Sequence, residues 1–260
     1  MENFVELKIE QDIAYITLNR PKFGNALNLD MVNQLLKVVI ACDQNTTLRC
    51  VVLTGTGRFF CTGGDVHEFA QYEATRPNFL SELAGILHLS VSKLLRMNKP
   101  LLVAVNGTAA GAGMSLSLLG DVVIATEQSM FSPAYSGIGL SPDAGLTWFL
   151  PKLIGLRKAQ HLLFVKGKLN AQEALAEGLI TQVCKPEELT ETVQHYVNIL
   201  ANQSTPAIAN MRALLLMSEQ NTIETQLELE ARFIAQISTH DTAKEGISAY
   251  VEKRKPNFRV

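Results

Sequence analysis

The feature that most constrains this sequence is an apolar run, Leu101 to Val105, that leads directly into a stretch of small residues, Asn106 to Ser115. The run is typical of a β-strand, and the small residues after it are typical of a tight turn that opens a helix. Similar apolar runs at Cys50 to Thr54 and Val122 to Ala125 predict further strands, with a helix at about Leu80 to Leu95 between them. Strand, helix and strand in alternation favour an α/β fold with crossover connections.

The first residues predict a hairpin and a helix in front of this segment. Phe4 to Glu10 and Ile13 to Leu18 alternate apolar and polar side chains, and the short break between them is typical of a hairpin. Asn28 is placed to begin a helix whose apolar residues recur at intervals of three and four. We therefore expect the N-terminal residues to belong to the same α/β body.

From residue 171 onward the pattern becomes almost wholly helical, with no Pro-, Gly- or Ser-rich linker before it. The predicted helices are Ala171 to Glu177, Pro186 to Asn202, Pro206 to Met217, Ile223 to Ile237 and Thr242 to Arg254. In the fourth, one apolar stripe consists of Ile223, Leu227, Ala231, Ile234 and Ile237, and Glu228 and Arg232 are spaced to pair on the other side. We predict a core over residues 1–200 and a helical region over residues 201–260 that makes subunit contacts.

Charge and composition exclude several classes of protein. The 260 residues are 47% hydrophobic and 18% charged, which is typical of a globular chain rather than a disordered one. The formal net charge is −2, whereas a protein whose main partner is a nucleic acid or a membrane needs a strongly basic surface. Neither partner is therefore expected. No apolar run approaches the roughly 20 residues that span a bilayer.

The cysteines and the first residues predict a cytoplasmic protein with reduced thiols. The four cysteines form no C-x-x-C pair, and no His pair has zinc-like spacing, so no metal site is expected. The N-terminus carries neither the basic start nor the apolar segment of a secretory signal.

The glycine-rich stretch around Gly111 is compatible with more than one function. A phosphate-binding loop of the Walker A type needs Lys and Ser or Thr after its last glycine, where Met114 stands. A dinucleotide fingerprint that begins at Gly111 lacks its third glycine, because Leu116 occupies that position. A helix N-terminus whose N–H groups face a cavity, and a purely structural turn, both stay open.

A second glycine turn, Gly63-Gly64, has the same character. Asp65 follows it and Glu68 comes three residues later, which is the spacing of a capping box at the start of a helix. Asp65 is therefore expected to cap a helix rather than to catalyse. One N–H from each glycine turn can converge on a single oxygen atom.

Several motifs, in order along the chain, resemble those of the crotonase superfamily of enoyl-CoA hydratases and isomerases. They are Asn25-Ala26-Leu27-Asn28, Phe60-Cys61-Thr62-Gly63-Gly64-Asp65, Gly107 to Gly113, Gly139 to Gly145 and Glu252 to Phe258. The resemblance implies an α/β spiral of ββα repeats, a C-terminal helical trimerisation region, and a homotrimer or a hexamer of two trimers. It also implies an acyl-CoA thioester as substrate, with coenzyme A as part of that substrate and no separate cofactor.

By the same resemblance, the backbone N–H groups of Gly64 and Ala112 hold the thioester oxygen. Donors aimed at that oxygen stabilise the enolate that forms when an α-proton leaves. Further contacts with the substrate or with CoA are implied for Lys22, Ala26, Cys61, Gly63, Asp65, Val66, Gly111, Tyr135, Tyr250 and Lys253. The walls of the acyl pocket are expected from about Phe69 to Val91.

The reaction depends on the acid or base that faces the acyl chain. Hydratases of the superfamily use two glutamates, and Ser115 and Tyr135 occupy those positions in this sequence. A carboxylate follows at Asp143, where members that shift double bonds and the phenylacetyl-CoA epoxide isomerases carry an acid. One carboxylate is sufficient for a 1,3-shift, because it removes a proton from one carbon and returns it to another.

Two other interpretations of this segment stay open. Asp143 is also placed to cap a helix that begins after Pro142. Aryl-CoA dehalogenases of the superfamily carry Trp at the position of Tyr135, ahead of a nucleophilic Asp, although a tyrosine there is more typical of a pocket wall.

The sequence therefore favours an acyl-CoA isomerase that shifts a double bond or opens a ring epoxide, with Asp143 as acid and base. The alternatives are an enoyl-CoA hydratase of fatty-acid or aromatic-acid catabolism, and a catalytically silent CoA-binding subunit.

Overall fold

The computed structural model describes residues 2–259, which form two β-sheets surrounded by helices. The strands are β1 Val5–Glu10, β2 Ile13–Leu18, β3 Cys50–Gly55, β4 Phe59–Cys61, β5 Leu101–Val105, β6 Thr108–Ala110, β7 Val122–Thr126, β8 Met130–Ser132, β9 Leu169–Asn170 and β10 Gln182–Cys184. The helices are α1 Leu29–Gln44, α2 Val66–Ala70, α3 Arg76–Arg96, α4 Ala112–Ser117, α5 Leu146–Ile154, α6 Leu156–His161, α7 Ala171–Ala176, α8 Leu189–Ala201, α9 Thr205–Ser218, α10 Ile223–Ile237 and α11 Asp241–Val251. None of the helices within residues 2–259 is both long enough and apolar enough to cross a bilayer.

Three successive strand pairs each add one strand to each of the two sheets. The larger sheet has the order β1-β2-β3-β5-β7-β10, and the smaller has the order β4-β6-β8-β9. In each of the pairs β3–β4, β5–β6 and β7–β8, the first strand joins the larger sheet, the second joins the smaller sheet, and a helix follows. This repetition is the predicted spiral of ββα units, and it confirms the α/β fold class.

The predicted N-terminal elements are confirmed. β1 and β2 pair antiparallel, with Val5 opposite Leu18 and Glu10 opposite Ile13. Asn28 caps α1, because its side chain accepts a hydrogen bond from the N–H of Met31 at 2.9 Å.

The chain from residue 171 onward is mostly helical as predicted, although it also contains strand β10 and two helix ends differ from those predicted. Pro186 begins a short 3₁₀ turn rather than the α-helix itself, which begins at Leu189. The last helix ends at Val251 rather than at Arg254, because Lys253 adopts a left-handed φ of +55° that an α-helix does not continue through. The division of the chain at residue 200 stays a prediction.

A buried arginine fastens helix α9 to the end of α3 and to the segments that precede β5 and β7. Arg212 on α9 is only 9% exposed, and its guanidinium donates to the carbonyl oxygens of Leu94, Met97 and Lys99 at the end of α3. It also pairs with Asp121 through Nε at 2.8 Å. Since a buried guanidinium is stable only when its donors are occupied, this set of acceptors fixes where α9 lies on the core.

The smaller sheet is packed so closely that several glycines have no room for a side chain. A Cβ atom at Gly113, in α4, would lie 2.1 Å from the backbone oxygen of Cys61 in β4. One at Gly107, just before β6, would lie 1.9 Å from the backbone oxygen of Arg58. Gly85 on α3 differs, because a Cβ atom there would have no neighbour within 4 Å.

These contacts predict opposite effects for the same substitution at two helical glycines. We expect Gly113→Ala to lower the free energy of unfolding by about 1–3 kcal/mol, since α4 must move away from β4. We expect Gly85→Ala to raise it by about 0.5–1 kcal/mol, because alanine is the better helix former and meets no obstacle. Urea unfolding followed by circular dichroism measures both, and a Gly113→Ala protein as stable as wild type would contradict the packing.

Candidate active site

A cavity of about 370 Å³ opens between the glycine turns, helix α3 and the segment that precedes α5. The residues around it are Leu27, Thr62, Gly63, Gly64, Val66, Phe69, Leu80, Leu83, Ala84, Leu87, Gly111, Ala112, Ala134, Tyr135, Ile138, Leu140, Ser141, Pro142 and Asp143. Those between residues 69 and 87 are apolar and form one wall, and they fall within the range of about 69–91 expected for the acyl pocket, whose assignment stays a prediction. Asp143 is the only carboxylate among these lining residues.

The two glycine turns meet because the strands that lead into them are parallel neighbours. β4 pairs with β6, so the turns that follow Cys61 and Ala110 lie side by side. Gly63 and Gly111 have φ values of +94° and +53°, in the region that favours glycine. A Cβ atom at Gly63 would lie 3.0 Å from the carbonyl oxygen of Ala110 and 3.4 Å from the nitrogen of Ala112. Glycine is therefore required here for conformation and for close approach.

The N–H groups of Gly64 and Ala112 point to no acceptor within the part of the chain that the structure describes. Leu27 pairs with the first turn on one side, donating to the oxygen of Gly63 at 2.7 Å and accepting from the nitrogen of Asp65 at 2.9 Å. The amide of Gly64 lies between these two bonds and takes part in neither, and Ala112 is the first residue of α4. Among residues 2–259, no hydrogen bond uses either N–H. Because both residues line the cavity, two free donors are available there.

Asp65 acts as a helix cap, as predicted, and also as half of a buried ion pair. Its Oδ1 accepts from the N–H groups of His67 and Glu68, and its Oδ2 lies 2.7 Å from a guanidinium nitrogen of Arg20. The reciprocal half of the predicted capping box is wrong. Glu68 instead accepts from the N–H of Leu29 at 3.1 Å, because the N-terminus of α1 lies beside α2.

Two side chains from different parts of the chain, those of Tyr135 and Ser115, contact Asp143. The hydroxyl of Tyr135 donates to its Oδ1 at 2.6 Å. The hydroxyl of Ser115, on α4, donates to its backbone oxygen at 3.0 Å and lies 3.4 Å from the hydroxyl of Tyr135. The alternative in which Asp143 caps a helix is wrong, because α5 begins at Leu146 with Gly145 as its N-cap and receives no side-chain cap.

Tyr135 remains a hydrogen-bond donor over the ordinary pH range. Burial raises the pKa of its phenol well above the usual value, and the nearby negative charge of Asp143 raises it further. Tyr135 is therefore both the pocket wall predicted from the sequence and the group that holds one oxygen of the carboxylate.

One further contact was not predicted from the sequence. The ring of His88 on α3 accepts a hydrogen bond through Nε2 from the N–H of Ala144 at 3.0 Å, across 56 residues of chain. The residues around His88 and Ala144 do not predict this hydrogen bond, because it joins α3 to a turn 56 residues further along the chain. The contacts of Arg20 were not predicted either: its guanidinium donates to the oxygen of Ala26 and to the carboxylate of Asp65.

The remaining predicted contact residues lie in two settings. Ala26, Cys61 and Asp65 are buried beside the first glycine turn, whereas Val66 is about half exposed and lines the cavity. Lys22, Tyr250 and Lys253 are exposed and lie outside the cavity lining. Their contacts with CoA or with the acyl chain stay predictions. No group of three or more His, Cys, Asp or Glu residues in the described part of the chain is arranged to hold a metal ion.

Comparison with known proteins identifies the family of the chain and agrees with the fold described above. Residues 8–260 match the family model described as enoyl-CoA hydratase/isomerase, so the chain belongs to that family. It is 36% identical over 259 residues to the 1,2-epoxyphenylacetyl-CoA isomerase of Escherichia coli K12, covering 99% of both chains. It is 31% identical over 255 residues to the short-chain-enoyl-CoA hydratase of Clostridium acetobutylicum, covering 97% of this chain and 96% of that one. The crystal structure of an enoyl-CoA hydratase from Polaromonas sp. JS666 superposes with a TM-score of 0.93 at 30% identity, over 97% of this chain and 98% of that one.

The surroundings of Cys61 predict an unreactive thiol. Burial raises the pKa of Cys61 to about 12, so at pH 8 roughly one molecule in ten thousand carries the thiolate that reacts. We expect iodoacetamide at pH 8 to leave Cys61 unmodified in the folded protein and to alkylate all four cysteines in guanidinium chloride. Peptide mass spectrometry measures both, and Cys61→Ala provides the control by removing one alkylation site from the unfolded chain. Rapid alkylation of Cys61 in the folded protein would contradict its burial.

Proposed function

We propose that this protein is an acyl-CoA isomerase that moves a double bond, or opens a ring epoxide, through an enolate of the thioester. Asp143 is the acid and base, and the N–H groups of Gly64 and Ala112 bind the thioester oxygen. The observation that carries the proposal is that one carboxylate, Asp143, lines the cavity and is held by the residues at both hydratase glutamate positions: Tyr135 donates to its carboxylate and Ser115 to its backbone oxygen.

The arrangement supports a proton shuttle between two carbons. For a 3-enoyl thioester, the carboxylate of Asp143 takes a proton from C2, and the electron pair moves onto the thioester oxygen to give a dienolate. The carboxylic acid then returns the proton to C4, and the double bond moves to C2–C3. No atom is gained or lost, so one acid/base group is sufficient.

The two free amides support the enolate intermediate. Each hydrogen bond to the developing oxyanion is typically worth about 2.7–4 kcal/mol, and backbone donors in a tight turn need no rearrangement as the charge forms. The apolar wall of α3 excludes water from the same space, which strengthens these bonds.

The contact with Tyr135 assigns different tasks to the two carboxylate oxygens. Tyr135 holds Oδ1, whereas no hydrogen bond within residues 2–259 engages Oδ2. Oδ2 is therefore the oxygen available to move a proton. The 36% identity with the E. coli epoxide isomerase over nearly the whole chain is a further support.

Hydration is the main alternative, because the family includes hydratases. Adding water across a double bond requires a base for the water and an acid for the α-carbon. Asp143 would have to perform both tasks, since neither Ser115 nor Tyr135 can act as a carboxylate. A catalytically silent CoA-binding subunit is the third possibility, and the presence of Asp143 in the cavity argues against it.

Asp143→Asn provides the direct test. Asparagine retains an oxygen that can accept from Tyr135 but cannot take a proton, so we expect kcat for conversion of 3-hexenoyl-CoA to 2-hexenoyl-CoA to fall by about 10²–10⁴-fold. Binding of the acyl-CoA, measured by calorimetry, should remain within about threefold of wild type, since an isosteric change removes no binding contact.

Asp30→Asn is the matched control, because it removes an exposed carboxylate from α1. Full isomerase activity of the Asp143→Asn protein would contradict the assignment. Crotonyl-CoA measured in parallel separates the alternatives, since a wild-type protein that adds water and moves no double bond would be a hydratase, and one that binds without turnover would be a silent subunit.

We also propose that the protein assembles into a homotrimer or a hexamer through its C-terminal helices. α10 has no buried residue in the single chain, and its apolar stripe includes Ile223, Leu227 and Ile234, which are 64%, 56% and 71% exposed. An apolar stripe of this size on a regular helix is typical of a protein–protein interface.

Charges placed on this stripe should separate the subunits. We expect wild-type protein to sediment as a trimer or hexamer, and a variant with both Leu227→Glu and Ile234→Glu to sediment at a lower mass, since burying two carboxylates in an apolar interface is unfavourable. Glu228→Gln, which affects the opposite face and its pair with Arg232, serves as the control. A monomeric wild-type protein, or a doubly substituted one of unchanged mass, would contradict the interface.

A further inference from the structure

The peptide group that joins Asp143 to Ala144 is held at both ends by side chains from other helices. The hydroxyl of Ser115 on α4 donates to its carbonyl oxygen at 3.0 Å. Nε2 of His88 on α3 accepts from its N–H at 3.0 Å. Because a peptide group is planar, fixing its oxygen and its N–H fixes its orientation and the position of the Asp143 Cα atom, from which the side chain leaves the backbone.

The turn that contains this peptide is in an unfavourable conformation for its residues. Ala144 is fully buried and has a φ of +49°, and Gly145 follows with a φ of +84°. A left-handed alanine is retained only where surrounding contacts enforce it. Ala144 precedes α5, so no helical bond uses its N–H, and among residues 2–259 His88 is its acceptor. Without that acceptor, a buried N–H would be left unpaired.

His88 acts from outside the substrate cavity. On α3, Leu87 lines the cavity, whereas the neighbouring His88 lines a separate hollow on the far side of the turn. On the turn, Asp143 lines the cavity and Ala144 lines that same hollow. The turn is therefore the partition between the two spaces, and His88 supports it from behind.

We infer that His88 is a positioning residue: its neutral ring accepts the Ala144 N–H and, together with Ser115, holds the Asp143–Ala144 peptide so that the carboxylate faces the bound acyl group. This inference rests on the proposed role of Asp143. Nε2 accepts only when the ring proton is on Nδ1, so His88 works here as an acceptor and takes no part in proton transfer with the substrate. Its loss should therefore reduce kcat and leave KM nearly unchanged, since the cavity walls that bind the acyl chain are not altered.

Side chains of graded length test the acceptor. The amide oxygen of glutamine reaches about as far from the backbone as Nε2 of histidine, whereas that of asparagine is one methylene shorter and the side chain of leucine has no acceptor. For 3-hexenoyl-CoA, we expect His88→Gln to keep kcat within about threefold of wild type. We expect His88→Asn and His88→Leu to lower it by about 10- to 100-fold, with KM within about twofold, because small misplacements of a reacting group have effects of this size. His195→Leu, the same change at an exposed histidine on α8, should leave kcat unchanged.

The outcomes separate this inference from the proposed function. Wild-type kcat in His88→Leu and His88→Asn, or equal losses in His88→Gln and His88→Asn, would overturn the positioning role. If His88→Leu fails to fold by circular dichroism, the comparison of His88→Gln with His88→Asn decides. Asp143→Asn is measured in the same assay: an inactive Asp143→Asn protein beside unaffected His88 variants refutes the positioning role alone, whereas an active one refutes the proposed function.

Discussion

The structure depends on how closely the backbones of the smaller sheet approach the turns and helix beside them. Gly107 and Gly113 allow backbone contacts that any side chain would prevent, since a Cβ atom at either would lie 1.9 Å or 2.1 Å from a carbonyl oxygen. This packing brings the turns at Gly63 and Gly111 together, and it leaves two N–H groups at the cavity that neither sheet nor helix can use. The free donors at the site are thus a consequence of how the strands stack, which explains why glycine and alanine rather than charged residues mark the site in the sequence.

The sequence predicted those features that repeat at short range. The hairpin at β1 and β2, the cap at Asn28 and the bounds of Ile223–Ile237 followed from alternation, capping chemistry and helical periodicity, and the structure confirms them. The motifs indicated the family because several of them occur together, in the order and with the spacing of that family. Local patterns were less reliable at helix ends, where a single left-handed residue such as Lys253 ends a helix earlier than its periodicity suggests.

Contacts between distant segments were beyond what the sequence could predict. Glu68 has the spacing of a capping box, yet it accepts from the N–H of Leu29 at the start of α1, and the N–H of Asp65 donates instead to the oxygen of Leu27. Asp143 has the spacing of a helix cap, yet it accepts no hydrogen bond from helix α5 through its side chain. Its carboxylate accepts from Tyr135 and its backbone oxygen accepts from Ser115. At the two positions where hydratases of the family carry glutamates, this chain has Tyr135, which donates to the carboxylate of Asp143, and Ser115, which donates to its backbone oxygen. That these two hydroxyl groups hold the same residue becomes visible only in the folded chain.

Helix α3 connects features that lie far apart in the chain. One side of it supplies Leu83 and Leu87 to the cavity wall, the next residue is His88, and the carbonyl oxygens at its C-terminal end hold the guanidinium of Arg212. A helix engaged in this way cannot slide or tilt without breaking the hydrogen bonds that its carbonyl oxygens accept from a buried guanidinium. Adaptation of the pocket to acyl groups of other sizes must therefore proceed by exchanging side chains along a stationary helix, and relatives with different substrates should differ along this wall in side-chain volume while their backbones superpose.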